Sequence, residues 1–139
     1  MEILIVIGLM TLILTIGIGS YTAVSRNGRD SRRKSDLEEI RSALEMYRSN
    51  NNAYPTALPT PSPGIAFGSA FGDATNTYLQ KSPQDPVSPR QIYYYAASGS
   101  DYTIAAQLEG TSTCISPPGG SSCGTGFACN YCLGSYGQK

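Results

Sequence analysis

Apolar residues dominate positions 3–24, from Ile3-Leu4-Ile5-Val6-Ile7 through Ala23-Val24, with Glu2 at the head of the run. A hydrophobic stretch longer than about 18 residues reads as a membrane-spanning helix. The pattern then turns charged without a break. From Arg26 to Asn52, Leu37, Ile40, Leu44 and Tyr47 recur at spacings of three, four and three and make one apolar stripe. Asp30 with Lys34 at i,i+4, and Glu38 with Arg41 and Glu45 with Arg48 at i,i+3, support the same helix by a few tenths of a kcal/mol each. Asn50-Asn51-Asn52 and Tyr54-Pro55 end it, because the residue before a proline is pushed out of helical space. The pattern predicts a single helix over about 1–52, roughly 75 Å long. Its first half, 1–25, is apolar and its second, 26–52, amphipathic.

Beyond Tyr54 the periodicity is lost. Pro55, Pro59, Pro61 and Pro63 make an extended stretch, and Pro83, Pro86 and Pro89 mark turns, so 53–90 reads as loop. Within it, Asp73–Lys81 is expected to form a short helix capped at Asp73. Gln91–Ala96 and Tyr102–Leu108 read as two strands joined by a five-residue hairpin loop, Ala97–Asp101, and Phe127–Leu133 as a last strand. The fold class is α+β: a long N-terminal helix packed by its C-terminal half against a small antiparallel sheet in 91–139. The chain divides into an apolar anchor, 1–25, and a head, 26–139.

Composition narrows the function. The 139 residues leave room for little more than one small domain after the apolar run. There is no histidine, which removes the usual base of serine and cysteine triads and the commonest metal ligand. No enzymatic activity, cofactor or metal is expected. Net charge is zero, yet seven of the ten Lys and Arg lie between Arg26 and Arg48. The cluster Arg26, Arg29, Arg32, Arg33 and Lys34 suits nucleic acid or an anionic lipid surface. Asp30, Asp36, Glu38 and Glu39 stand within a turn or two, which favours a solvated, internally balanced helix face, so nucleic acid is not expected as the main partner. Tyr93-Tyr94-Tyr95 suggests a stacking surface, but tyrosine is common in strands and the structural role is favoured.

Two simpler readings of the N-terminus fit less well. A cleavable signal peptide has a basic start and a shorter apolar core. A plain membrane anchor explains the hydrophobicity but neither Glu2, a carboxylate that is costly in lipid, nor the uninterrupted helix. The four cysteines, Cys114, Cys123, Cys129 and Cys132, include only one CxxC pair, which argues for disulfides over zinc. Three pairings are open. A strand over 127–133 points Cys129 and Cys132 to opposite faces, and the Gly124-Thr125-Gly126 turn brings Cys123 back to Cys129, which leaves Cys114 for Cys132. Disulfides place the head outside the cytoplasm. The positive-inside rule, applied to the basic cluster, places it inside. The conflict eases if residues before Met1 have been removed and once carried more positive charge.

The run Met1-Glu2-Ile3-Leu4-Ile5-Val6-Ile7-Gly8, the apolar helix, then Arg29-Asp30-Ser31-Arg32-Arg33-Lys34-Ser35-Asp36-Leu37, resemble bacterial type IV pilins and the pseudopilins of type II secretion. So do Ile40–Tyr47 and Asn51-Asn52-Ala53-Tyr54-Pro55, and more weakly Tyr78–Pro86 with the Tyr-rich hairpin that follows. The resemblance implies the pilin fold and a leader removed by a prepilin peptidase. Glu2 matches the family's glutamate, which implies that about three mature residues precede Met1. That glutamate is held to neutralise the N-terminal amine of a neighbouring subunit, a pairing that makes a buried carboxylate tolerable.

The resemblance implies a homopolymer of many copies, held in inner-membrane lipid before assembly and extracted into a surface filament by an assembly machinery with an ATPase. Glu2, Ile3, Ile5, Val6, Leu9, Leu12, Ile13 and Ile16 are the expected assembly residues. Gly8, Gly17 and Gly19, in a helix without the family's frequent mid-helix proline, are the expected points of loosening. A type IV pilus subunit is the leading expectation. The alternatives are a type II secretion pseudopilin, whose relatives often hold calcium rather than a cysteine-rich end, and a bitopic adhesion or DNA-uptake protein.

Overall fold

The computed structural model describes residues 2–56, 58, 68–112, 114 and 122–139, with the side chains of 14–20 excepted. Expectations that fall on Met1, on the prolines of 59–63, and on the surroundings of Ile16, Gly17 and Gly19 lie outside the described residues.

One helix, α1, runs from Glu2 to Asn51. It is proline-free, and its C-terminus is closed by Asn52 in the left-handed region (φ 56°), whose N–H reaches back to the Arg48 carbonyl at 2.7 Å. Asparagine tolerates this conformation better than most residues with a Cβ. The stripe Leu37, Ile40, Ala43 and Leu44 is buried against the head.

Residues 68–90 depart from the expected loop and helix. Phe71–Gly72 (β1) and Thr77–Leu79 (β2) form a small antiparallel pair that packs on α1. Asp73 caps no helix. Its Oδ1 accepts the N–H groups of Thr75 and Asn76 at 2.8 and 2.7 Å, which closes a tight turn instead. The Tyr78 hydroxyl donates to its Oδ2 at 2.5 Å.

The main sheet is antiparallel in the order β3 (Tyr94–Ser98), β4 (Asp101–Ala106), β5 (Tyr131–Gly134) and β6 (Gly137–Gln138). The hairpin is tighter than the five-residue loop expected. Pairing continues to Ser98↔Asp101, and Gly99, at φ +62°, takes the first of two turn positions, where glycine is favoured. The last strand starts later than expected, at Tyr131, and is followed by β6, which is too short to leave a sequence signal.

Strand β4 is buried on both faces. Tyr102, Ile104 and Ala106 enter the core with α1, while Ala105 enters a second cluster with Cys123, Cys129 and Cys132. The sheet is thus a middle layer between the helix and the cysteine-bonded segment. The Tyr-rich stretch is structural. Tyr93 donates its buried hydroxyl to Asp36 at 2.6 Å, Tyr95 donates to the Pro55 carbonyl at 2.6 Å, and half-buried Tyr94 packs on the cysteine cluster.

Candidate assembly interface

The two halves of α1 differ in what covers them. Ile3, Leu4, Ile5, Val6, Ile7, Leu9, Met10, Leu12 and Ile13 are each 51–76% exposed, and Tyr21 and Val24 are exposed as well. Five consecutive residues, 3–7, are among them, so the rod is apolar on every side. Such a helix is stable in use only when buried all round. Glu2 is exposed at its tip. Nothing lies within 4 Å of the space a Cβ would occupy at Gly8, so no contact inside the subunit requires glycine there. Among the described residues no helix is long and apolar enough to cross a membrane. The span expected over 1–25 therefore rests on the sequence pattern.

The junction between rod and head is built around Arg33, whose side chain is wholly buried. All five of its N–H donors are used. Nε and Nη2 grip Asp85 at 2.8 and 3.3 Å; Nη1 reaches Asp30 at 2.7 Å and Glu109 at 3.3 Å; Nη2 also reaches Gln91 at 2.7 Å. Asp30 in turn accepts the backbone N–H groups of Glu109 and Gly110, both at 2.9 Å, and Asp85 accepts that of Val87 at 2.8 Å. One turn earlier, Arg29 makes a two-pronged pair with Glu109, with both bonds at 2.6 Å. A fork of donors matched to carboxylates fixes orientation as well as distance.

The balanced, solvated face expected for the basic cluster is corrected at Arg33; Arg26 and Arg32 remain exposed. Arg33 is balanced inside the protein, by Asp30 one turn upstream and by residues from distant segments, because it lies one turn upstream of Leu37 on the buried stripe. Lys34 does not pair with Asp30; its Nζ sits 5.5 Å from the centre of the Tyr131 ring. Of the helix pairs, Glu38–Arg41 forms at 3.3 Å. Glu45 and Arg48 meet instead on the Tyr54 hydroxyl, at 3.1 and 2.8 Å.

Electrostatics follow the geometry. Burial pulls the Arg33 guanidinium down, but its hydrogen bonds to Asp85, Asp30 and Glu109 more than reverse this, and it is held firmly charged. Hydrogen bonding to Arg29 lowers Glu109 from 4.5 to about 2, against opposing burial and with help from Arg33. A depressed carboxylate adds stability above its unfolded value and loses it as pH falls through the folded one. Thermal stability is therefore expected to drop between pH 4.5 and 2. Asp101, opposed by burial but held low by Lys139 and Ser135, contributes in the same direction. Melting curves of Glu109→Gln should show a shallower acid slope than the parent; an unchanged slope would remove Glu109 from this account.

At the other end of the head the structure joins Cys114 to Cys132 and Cys123 to Cys129, with Cα separations of 5.3 and 5.1 Å. Cys132 sits opposite Ala105 in the β4–β5 register, on the face away from α1. Cys123 and Cys129 flank a turn in which Gly124 (φ +136°) passes so close to the Arg90 carbonyl that any Cβ would collide with it. Among the described residues no group of three or more Cys, Asp or Glu is arranged to hold a metal ion.

A long helix half-bare and half-packed on a small antiparallel sheet defines the pilin and pseudopilin class of filament subunits. The family model for type II secretion system protein G matches residues 21–111, and the chain belongs to that family. No curated protein and no solved structure matches the chain. The matched span holds every residue of the Arg33 cluster and ends before the first cysteine. Family membership implies self-assembly into a polymer served by a secretion machinery.

Proposed function

We propose that this protein is a non-enzymatic structural subunit that polymerises through the apolar half of α1 into a filament of the secretion-pseudopilus type. The observation that carries it is the bare apolar rod continuous with a head that clamps only its second half. Before assembly the rod resides in the inner membrane, with the head on the far side from the cytoplasm; in the filament, copies of the rod bury one another. The family match favours the secretion machine over a surface pilus. The cysteine-bonded end favours the pilus subunit as a second reading, since it fastens the segment after β4 without a cluster of carboxylates.

The test is electron microscopy of cells expressing the chain with its assembly machinery. Helical filaments with residues 2–24 in a central bundle are expected, and a membrane-bound monomer under all conditions would sink the proposal. Short filaments confined to the cell envelope support the secretion reading; long retractile surface filaments support the pilus. In the same assay Glu2→Ala should reduce filament yield at least tenfold, the consequence of about 1.4 kcal/mol or more lost per subunit contact. Undiminished assembly of that variant would remove Glu2 from the interface.

A further inference from the structure

Most of the head's cations are engaged. Arg29, Arg33 and Arg41 pair with carboxylates at 3.3 Å or less, and Lys139 pairs with Asp101. Lys34 and Arg90 lie over the rings of Tyr131 and Phe127. Arg32 and Lys81 differ. The nearest carboxylate to Arg32 is Asp36 at 4.0 Å, which already accepts the Tyr93 hydroxyl, and Lys81 makes no ion pair among the described residues. The two line one pocket of about 480 Å3 with Gly68, Ser82, Pro83 and Gln84, and no carboxylate is among these lining residues.

The pocket is held in place from two sides. Ser82 bonds Ser69 and Gly68 through its backbone and its hydroxyl. The Arg33–Asp85 fork pins the segment carrying Lys81 beside the helix at residue 33. We propose that this pocket binds the phosphate of an anionic phospholipid while the subunit is membrane-resident, an assignment that rests on the membrane stage of the function proposed above.

Position along the rod supports it. The exposed apolar run ends at Val24, and the next exposed cation, Arg26, stands two residues beyond with only a 4.0 Å approach to Glu109. Arg32 follows roughly 12 Å past Val24 along the helix. The headgroup layer is about 5–7 Å deep on each side of a bilayer, and long basic side chains extend along the helix toward it. Arg26 therefore lies within that layer, and Arg32 stands about 5–7 Å beyond it, one long side chain's reach away, with Lys81 in the same pocket.

The test uses the full chain in detergent and in vesicles. By native mass spectrometry in neutral detergent, phosphatidylglycerol should be retained over phosphatidylcholine by roughly fivefold for each engaged cation. Arg32→Gln with Lys81→Gln should cut the preference to the roughly fivefold that Arg26 alone supplies, and Lys81→Arg should keep it whole. Equal retention of the two lipids, or a preference untouched by the double variant, overturns the proposal. Displacement of the lipid by millimolar inorganic phosphate reassigns the pocket to a free anion and overturns the lipid assignment. Carbonate extraction from vesicles separates the two levels. A chain that washes off both lipid compositions overturns membrane residence itself, whereas one that stays embedded without discriminating lipids overturns only the pocket.

Discussion

Arg33→Ala is expected to destabilise the head by about 3–5 kcal/mol, the range for removing one partner of a buried ion pair. The guanidinium contributes five hydrogen bonds, and its loss leaves Asp85, whose side chain is wholly buried, with only the Val87 N–H as a donor among the described residues. It also leaves Asp30 and Glu109 crowded around the vacated space. For a domain of this size the melting temperature should fall by on the order of 15 °C. Arg33→Lys supplies a charge but not the fork and should recover only part of the loss. The sharper check is Arg33→Met combined with Asp85→Leu, which removes both charges together. An uncompensated charge as the origin of the damage predicts that the double variant is more stable than Arg33→Ala. If the double variant is worse than either single change, packing rather than charge governs the site.

The features legible in the sequence were those with a local period. The Leu37–Tyr47 stripe fixed the helix, and the apolar run before it marked the half with no partner of its own. Most of the Arg33 cluster was hidden because, Asp30 apart, its partners lie 52, 58 and 76 residues away. One signal pointed to it: the apolar stripe, continued one turn upstream of Leu37, lands on an arginine. A charge on a buried stripe needs partners, and of the carboxylates beside it in sequence Asp30 supplies one bond of the five. The β1–β2 pair was missed for a different reason. Strands of two and three residues carry no alternation, and an aspartate that closes a turn has the same side-chain chemistry as one that caps a helix.

Leu9→Arg is expected to abolish filament assembly while leaving the head as stable as before. Leu9 is 55% exposed in the subunit and belongs to neither core cluster, so the change removes no packing in the head. In lipid, an arginine near the middle of a span costs about 2.5–3.5 kcal/mol. In a bundle of apolar rods it would be buried without a carboxylate, and the loss repeats at every subunit added. Assembly should fall by at least two orders of magnitude, read as pelletable polymer, with Leu9→Ile as the volume-matched control that stays near the parent. The thermal transition of the head and the titration of Glu109 should be unchanged, because the described contacts of the Arg33 cluster begin only at Ser25. If Leu9→Arg assembles normally, the bare half of α1 is not the polymer's core. If instead the head melts early, the two halves of the helix are coupled in a way that the continuous α1, clamped only over its second half, does not predict.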